Sequence, residues 1–220
     1  MKIERSFPGA KGVDTVLTFS KGLAERFKAA GYAYVVRYLG ALTDYEVEAI
    51  LAGGLALLAV SYSRRHGWLP NGTLGAQDGM LAVQHARAAN LPIGLTLFCD
   101  LEGPGGTGTD SVAYVNAWAH AVQAGGYIAG LYVGYGIQLT AQELYSCLAV
   151  TAYWDSCSKN PDVAKRGFQM VQEYPPNKRV CGLQVDTNVI QPDFFGDTPV
   201  WVIAGDPARD TDPTGLALAL

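Results

Sequence analysis

Extended apolar runs alternate with helical stretches along almost the whole of this 220-residue chain, and few folds can absorb that pattern. Strands are read at 12–19, 33–40, 56–62, 93–102, 128–135, 148–155, 168–174 and 182–190. Each is a short run of β-branched, aromatic and aliphatic residues. Helical patterns fall at 20–30, 43–52, 75–90, 110–124 and 140–147. The first opens on Ser20 as its N-cap and stops at Gly31, a residue suited to a left-handed C-terminal turn. The second opens on Thr43-Asp44-Tyr45-Glu46, the spacing of a capping box. Strand then helix, repeated, predicts an α/β fold: a single (β/α)8 TIM-type barrel, regular or irregular. A doubly wound sheet is the alternative, but no GxGxxG turn follows the first strand.

A chain of this length suits one barrel. Residues 1–195 are assigned to it and 196–220 to a C-terminal extension. Within that extension the apolar run 200–204 is expected to pack on the barrel, and the Pro/Asp/Gly-rich stretch 206–215 to form a surface arm. Only 16% of residues are charged and 49% are hydrophobic, which excludes disorder and a coiled coil. The net charge of −4 gives no reason to expect nucleic acid as a partner. A charge-poor chain with 26 Gly, 12 Tyr, 7 Phe and 4 Trp suits a domain that grips something uncharged.

No apolar stretch is long enough for membrane insertion. The start, Met-Lys-Ile-Glu-Arg, has no apolar signal core, so the chain is expected to be made soluble without a classical signal peptide. If it acts outside the cell, something other than a classical signal of its own would have to release or export it. Four scattered cysteines and three dispersed histidines match no metal-ligand spacing, so no metal and no cofactor are expected. The cysteines are read as free thiols, with Cys147 and Cys157 the conceivable pair.

The informative residues are acids at the ends of apolar strands. In a barrel these ends form the mouth, and a carboxylate there is costly unless it has partners or a task. In Thr96-Leu-Phe-Cys-Asp100-Leu-Glu102, alternation puts Thr96, Phe98, Asp100 and Glu102 on one face. The opposite face is wholly apolar, so Asp100 and Glu102 point into the mouth, with Cα atoms about 6.5–7 Å apart. Like charges this close raise at least one pKa, as a general acid requires. Asp14 lies on the first strand and Asp186 on the last, which are neighbours in a closed barrel. Gln184 and Asn188 share the face of Asp186.

Rings surround these acids. Tyr153, Trp154 and Asp155 end one strand, Tyr132 and Tyr135 another, and Tyr62 and Tyr38 two more. Such platforms suit the apolar faces and polar rims of sugars. The expected substrate contacts are Trp154, Tyr153, Asp155, Tyr132, Tyr62, Gln184, Asn188 and Arg37. Arg37, a charge inside an apolar strand, is also a candidate for a structural ion pair. Arg64-Arg65-His66 is a small basic loop near the mouth, read as solvated, with contact to an anionic wall polymer as the alternative.

Together these motifs resemble a known group. Gly12-Val-Asp14, then Tyr-Val-Val-Arg-Tyr-Leu, then Phe-Cys-Asp100-Leu-Glu102, then Gln184-Val-Asp186-Thr-Asn188 resemble the glycoside-hydrolase-like TIM barrels of unknown function related to family 25 lysozymes. The likeness runs from about residue 11 to 195. It implies a hydrolase of the β-1,4 bond after N-acetylmuramic acid in peptidoglycan, as in a phage or bacterial cell-wall lysin, acting as a monomer. Glu102 would be the general acid. Asp100 would orient the substrate's N-acetyl group or stabilise the oxocarbenium-like centre, and Asp14 and Asp186 would hold charge and water. The lysozymes usually continue after the first Asp with Ser and Gln. Here the run is Asp14-Thr-Val-Leu-Thr, the looser form of the related group.

Two other classes remain open. One is a non-catalytic wall- or glycan-binding barrel that keeps the cleft without turnover. The other is a barrel enzyme acting on a small metabolite, for which the chain shows no late phosphate-binding glycine loop.

Overall fold

The computed structural model describes residues 1–61 and 64–205. After β1 (Lys2–Arg5) the chain alternates strand and helix: β2 (Lys11–Thr15), α1 (Lys21–Ala29), β3 (Tyr34–Tyr38), α2 (Asp44–Ala52), β4 (Ala56–Val60), α3 (Gly72–Ala88), β5 (Thr96–Leu101), α4 (Gly108–Ala124), β6 (Ile128–Val133), α5 (Ala141–Ser146) and β7 (Ala152–Asp155). Four strands follow: β8 (Met170–Gln172), β9 (Lys178–Val180), β10 (Leu183–Ile190) and β11 (Val200–Ile203). Strands β2 to β8 pair parallel in chain order, and β10 closes the barrel between β8 and β2.

The expected TIM-type barrel is therefore present, with one reversal: β10 runs antiparallel to both of its neighbours. Chain length explains this. Ten residues separate Gln172 from Leu183, and a parallel return needs a dozen or more. They instead form β9 and a two-residue turn at Cys181 and Gly182, with φ of 50° and 85°, so that β9 and β10 make a hairpin. The N-terminal half of β10, rather than its C-terminal end, thus lies at the barrel mouth.

The helix signals locate the starts well. Ser20 accepts from Leu23 N–H and Thr43 from Glu46 N–H. The capping box expected at Thr43 is only half formed, because the Glu46 carboxylate turns inward to Arg37. Complete boxes occur at Thr107–Asp110 and Thr140–Glu143. The apolar run after residue 200 forms β11, which lies antiparallel between β1 and β4. The stretch 206–215 lies outside the described residues. All four cysteines are free thiols. Among the described residues no helix is long and apolar enough to cross a membrane.

Helices α3 and α4 touch through glycine. A Cβ on Gly75 would sit 2.1 Å from the Tyr114 carbonyl oxygen, and one on Gly79 would sit 2.6 Å from that of Trp118. Backbone cannot yield as a side-chain tip can, so the helices would have to separate. Gly75→Ala is expected to cost about 1–3 kcal/mol in urea unfolding. Gly22→Ala in α1 meets nothing within 4 Å and is expected to be neutral or slightly stabilising.

Candidate active site

The first and last barrel strands bring two acids face to face. Asp14 and Asp186 are direct register partners on β2 and β10, which places their Cα atoms about 4.5–5.5 Å apart with side chains on one face. Asp14 is only 8% exposed. Its Oδ2 accepts a 2.7 Å hydrogen bond from the Asn188 amide, whose Oδ1 accepts one of 2.9 Å from Trp154 Nε1. Asp186 is half-buried and accepts from the Asn177 N–H at 2.5 Å.

Glu102 lies one residue past β5, where no strand pairing holds it. The backbone is clamped there instead. Leu101 C=O accepts from Gly134 N–H, Glu102 C=O from Trp68 Nε1 at 3.0 Å, and Gly103 bonds both Tyr135 C=O and Gly67 N–H. The Glu102 side chain, by contrast, makes no hydrogen bond or ion pair among the described residues. A fixed backbone carrying an unencumbered, half-buried carboxyl suits a group that must exchange a proton with a ligand. Two residues earlier, Asp100 is 4% exposed, its N–H donates to Ser61 Oγ, and its Oδ1 has no partner. Tyr38, on the same face of β3 as Tyr34, completes the cluster, and all four acids bear on its hydroxyl.

The electrostatics follow from this packing. None of the four acids is in an ion pair among the described residues. Burial pushes the Asp14 carboxyl up to about 7, the Asn188 bond pulls against it, and repulsion from Asp186 and Glu102 adds to the rise. Burial, then Glu102 and Asp14, hold Asp100 well above the carboxylate range. Burial and then Asp186 raise Glu102. No group of three or more His, Cys, Asp or Glu among the described residues is placed to hold a metal ion.

These shifts have a sign that can be tested. Between the ordinary Asp value of 3.8 and about 7, the unfolded chain has released the Asp14 proton and the folded chain keeps it. Folding then takes up a proton, so stability falls as pH rises through that window and is flat on either side. Asp14→Asn is expected to remove that share of the slope, on the order of a few kcal/mol, in a comparison of melting curves across pH 4–8.

The structure gathers Asp14, Asp100, Glu102 and Asp186 at one mouth, together with Asn188 and Tyr132. Tyr132 donates to Gln172 Oε1 at 3.1 Å and packs edge-on to Trp154. Several expected contacts lie elsewhere. Trp154 is 2% exposed, with Phe98 and Tyr132 packed edge-on to it, so it forms the floor and offers no platform. Tyr153, one residue away, points out of the barrel and donates to Leu144 C=O. Asp155 turns to Asn160 and Asp162 beyond β7. Gln184 is exposed above the barrel on the β9 hairpin. Arg37 faces α2, fully buried, and binds Glu46, so it is no ligand contact. Arg64 is not simply solvated, because its guanidinium grips Asp78 in a bidentate pair. Tyr62 lies outside the described residues.

Ser61, Trp68 and Gln172 were not singled out in the sequence. Gln172 left the clearest signal: a polar residue on the inward face of a short apolar strand, where it accepts from both Tyr132 and the Cys157 N–H.

Comparison with known proteins agrees with this fold. An uncharacterized protein of B. stearothermophilus superposes with a TM-score of 0.68 at 22% identity, covering 83% of this chain and 96% of that one. The Tat-secreted protein Rv2525c of Mycobacterium tuberculosis, solved with L-tartrate, gives 0.66 at 16% identity, with 86% and 98% covered. A family 25 glycosyl hydrolase from Bacillus anthracis gives 0.54 at 13% identity, with 83% and 89% covered. At such identities the likeness is one of fold. No curated protein matches the sequence. A family model described as the Rv2525c-like, glycoside hydrolase-like domain matches residues 25–190, most of the chain. The chain therefore belongs to the Rv2525c-like, glycoside hydrolase-like domain family.

Proposed function

We propose that the protein is a glycoside hydrolase that cleaves peptidoglycan, a lysozyme-like β-1,4-N-acetylmuramidase serving as a phage or bacterial wall lysin. It acts as a monomer at the wall once released or exported. The observation that carries this reading is the Glu102 carboxyl, unbonded among the described residues, on a clamped backbone and raised by burial and by Asp186. A carboxyl raised above its ordinary value holds its proton to higher pH and can give it to the leaving oxygen of a glycosidic bond. Asp100 orients the N-acetyl group or stabilises the oxocarbenium-like centre. Asp14 and Asp186 hold water at the mouth, and Asp186 faces the charge that develops across it.

The test uses purified peptidoglycan, read by loss of turbidity and by release of reducing ends. Wild-type protein is expected to produce both, and Glu102→Gln neither. Sedimentation onto walls with no reducing ends would mark a glycan-binding barrel instead.

A further inference from the structure

Trp154 was expected to stack on a ligand, yet it is buried and its one polar atom is spent on Asn188. Indole Nε1–H can only donate, so at 2.9 Å from Asn188 Oδ1 it fixes which end of that amide is the carbonyl. The NH2 end must then face Asp14, where Nδ2 donates to Oδ2 at 2.7 Å. Asn188 is fully buried, so water cannot substitute for either contact. Asp14 Oδ2 is therefore held in the acceptor role, and a proton on this carboxyl has only Oδ1 to occupy. Among the described residues no other residue's side chain hydrogen-bonds Oδ1, and the residue keeps a small opening to solvent.

We propose that Trp154 is a positioning residue for Asp14: acting through Asn188, it reserves Oδ2 as an acceptor and leaves Oδ1 to carry a proton and donate it to a neutral acceptor group of the ligand. That group would be an amide carbonyl or a hydroxyl oxygen, and its identity as part of a glycan rests on the function proposed above. The relay makes the floor of the barrel a device that sets the polarity of the mouth. An anionic group on the ligand is disfavoured at this point, because among the described residues the neighbours of Asp14 supply no cation. They are Asp186 on β10, Glu102 and Asp100 at the end of β5, Tyr34 and Tyr38 on β3, Tyr132 on β6, and Cys157 beyond β7. Burial and the two nearest acids keep the Asp14 proton in place up to about pH 7.

The experiment follows the Asp14 carboxyl carbon by NMR during pH titration of the full chain, in wild type, Trp154→Phe and Asn188→Leu. Wild-type Asp14 is expected to titrate near 7. In Trp154→Phe the Asn188 amide is free to turn over and accept from protonated Asp14, which raises the titration by about one unit. Asn188→Leu removes the donor to the ionised form, with Trp154 left in place, and is expected to raise it similarly. Titration of wild-type Asp14 in the ordinary carboxylate range, or an unchanged value in folded Trp154→Phe, overturns the proposal.

A second readout is calorimetric binding of tri-N-acetylchitotriose. Wild-type affinity is expected to fall about tenfold as Asp14 ionises, and Trp154→Phe to lose that dependence. Binding to wild type that ignores pH across the Asp14 titration overturns the donor role. A failure to bind at any pH contradicts the glycan reading, while the titration still decides the relay.

Discussion

Replacing Glu102 with Gln is expected to lower turnover on peptidoglycan by about 10²–10⁴-fold while leaving the fold intact. The two halves of this expectation come from different atoms. The main chain at this position is tied to Trp68, and its neighbours to Gly134, Tyr135 and Gly67, all through groups that Gln keeps. The carboxyl itself makes no bond among the described residues, so its loss removes no structural contact. It does remove a like charge from beside Asp186, and melting is expected to be unchanged or slightly raised. A general acid must be protonated to act, and burial and Asp186 hold Glu102 above the ordinary Glu value. Wild-type activity is therefore expected to fade on the alkaline side as Glu102 ionises. Rates and melting temperatures measured on one preparation check both halves.

The second large effect concerns stability. Arg37 and Glu46 are 0% and 1% exposed and meet at 2.6 Å. The guanidinium also donates to Thr15 C=O, and Glu46 Oε1 accepts from Phe19 N–H at 2.8 Å. This pair braces the segment that leaves β2 immediately after Asp14. Arg37→Met strands a buried carboxylate and is expected to cost about 3–5 kcal/mol in urea unfolding. Arg37→Met combined with Glu46→Leu removes both charges and is expected to recover most of that loss, because replacing a whole buried pair is often close to neutral. A double variant no more stable than Arg37→Met would show that the bonds to Thr15 and Phe19, rather than the stranded charge, carry the cost.

The barrel was legible because strands buried on both faces leave long apolar runs, and Ser20, Thr43 and Gly31 punctuate the helices as their chemistry requires. The reversal of β10 was also present in the sequence, in arithmetic: only seven residues lie between the runs 168–174 and 182–190, too few for a crossover helix. Parity would have sorted the rings and Arg37. Neighbours on a strand point to opposite faces, so Tyr153 and Trp154 could never share a groove, and Arg37 could not accompany Tyr38 into the mouth. The four acids were legible for the same reason in reverse, since Asp100 and Glu102 share parity and Asp14 and Asp186 sit on strands that closure makes adjacent.

Other features had no local signal. The Glu46 pairing was hidden by a capping position that seemed to account for the residue already. The Trp154–Asn188–Asp14 relay joins three strands distant in the chain, and only the closed barrel brings them together. Burial of Trp154 beneath the acids likewise depends on how Phe98 and Tyr132 fill the barrel around it.

The most direct test of the central claim, that these converging carboxyls cut the glycan after N-acetylmuramic acid, is the identity of the new chain end. Purified peptidoglycan is digested with wild type or with Glu102→Gln, reduced with borohydride, and the terminal sugars are identified by mass spectrometry. The expected result is N-acetylmuramitol ends from wild type and none above background from Glu102→Gln. N-acetylglucosaminitol ends, no new ends at all, or equal release by the two proteins would contradict the account.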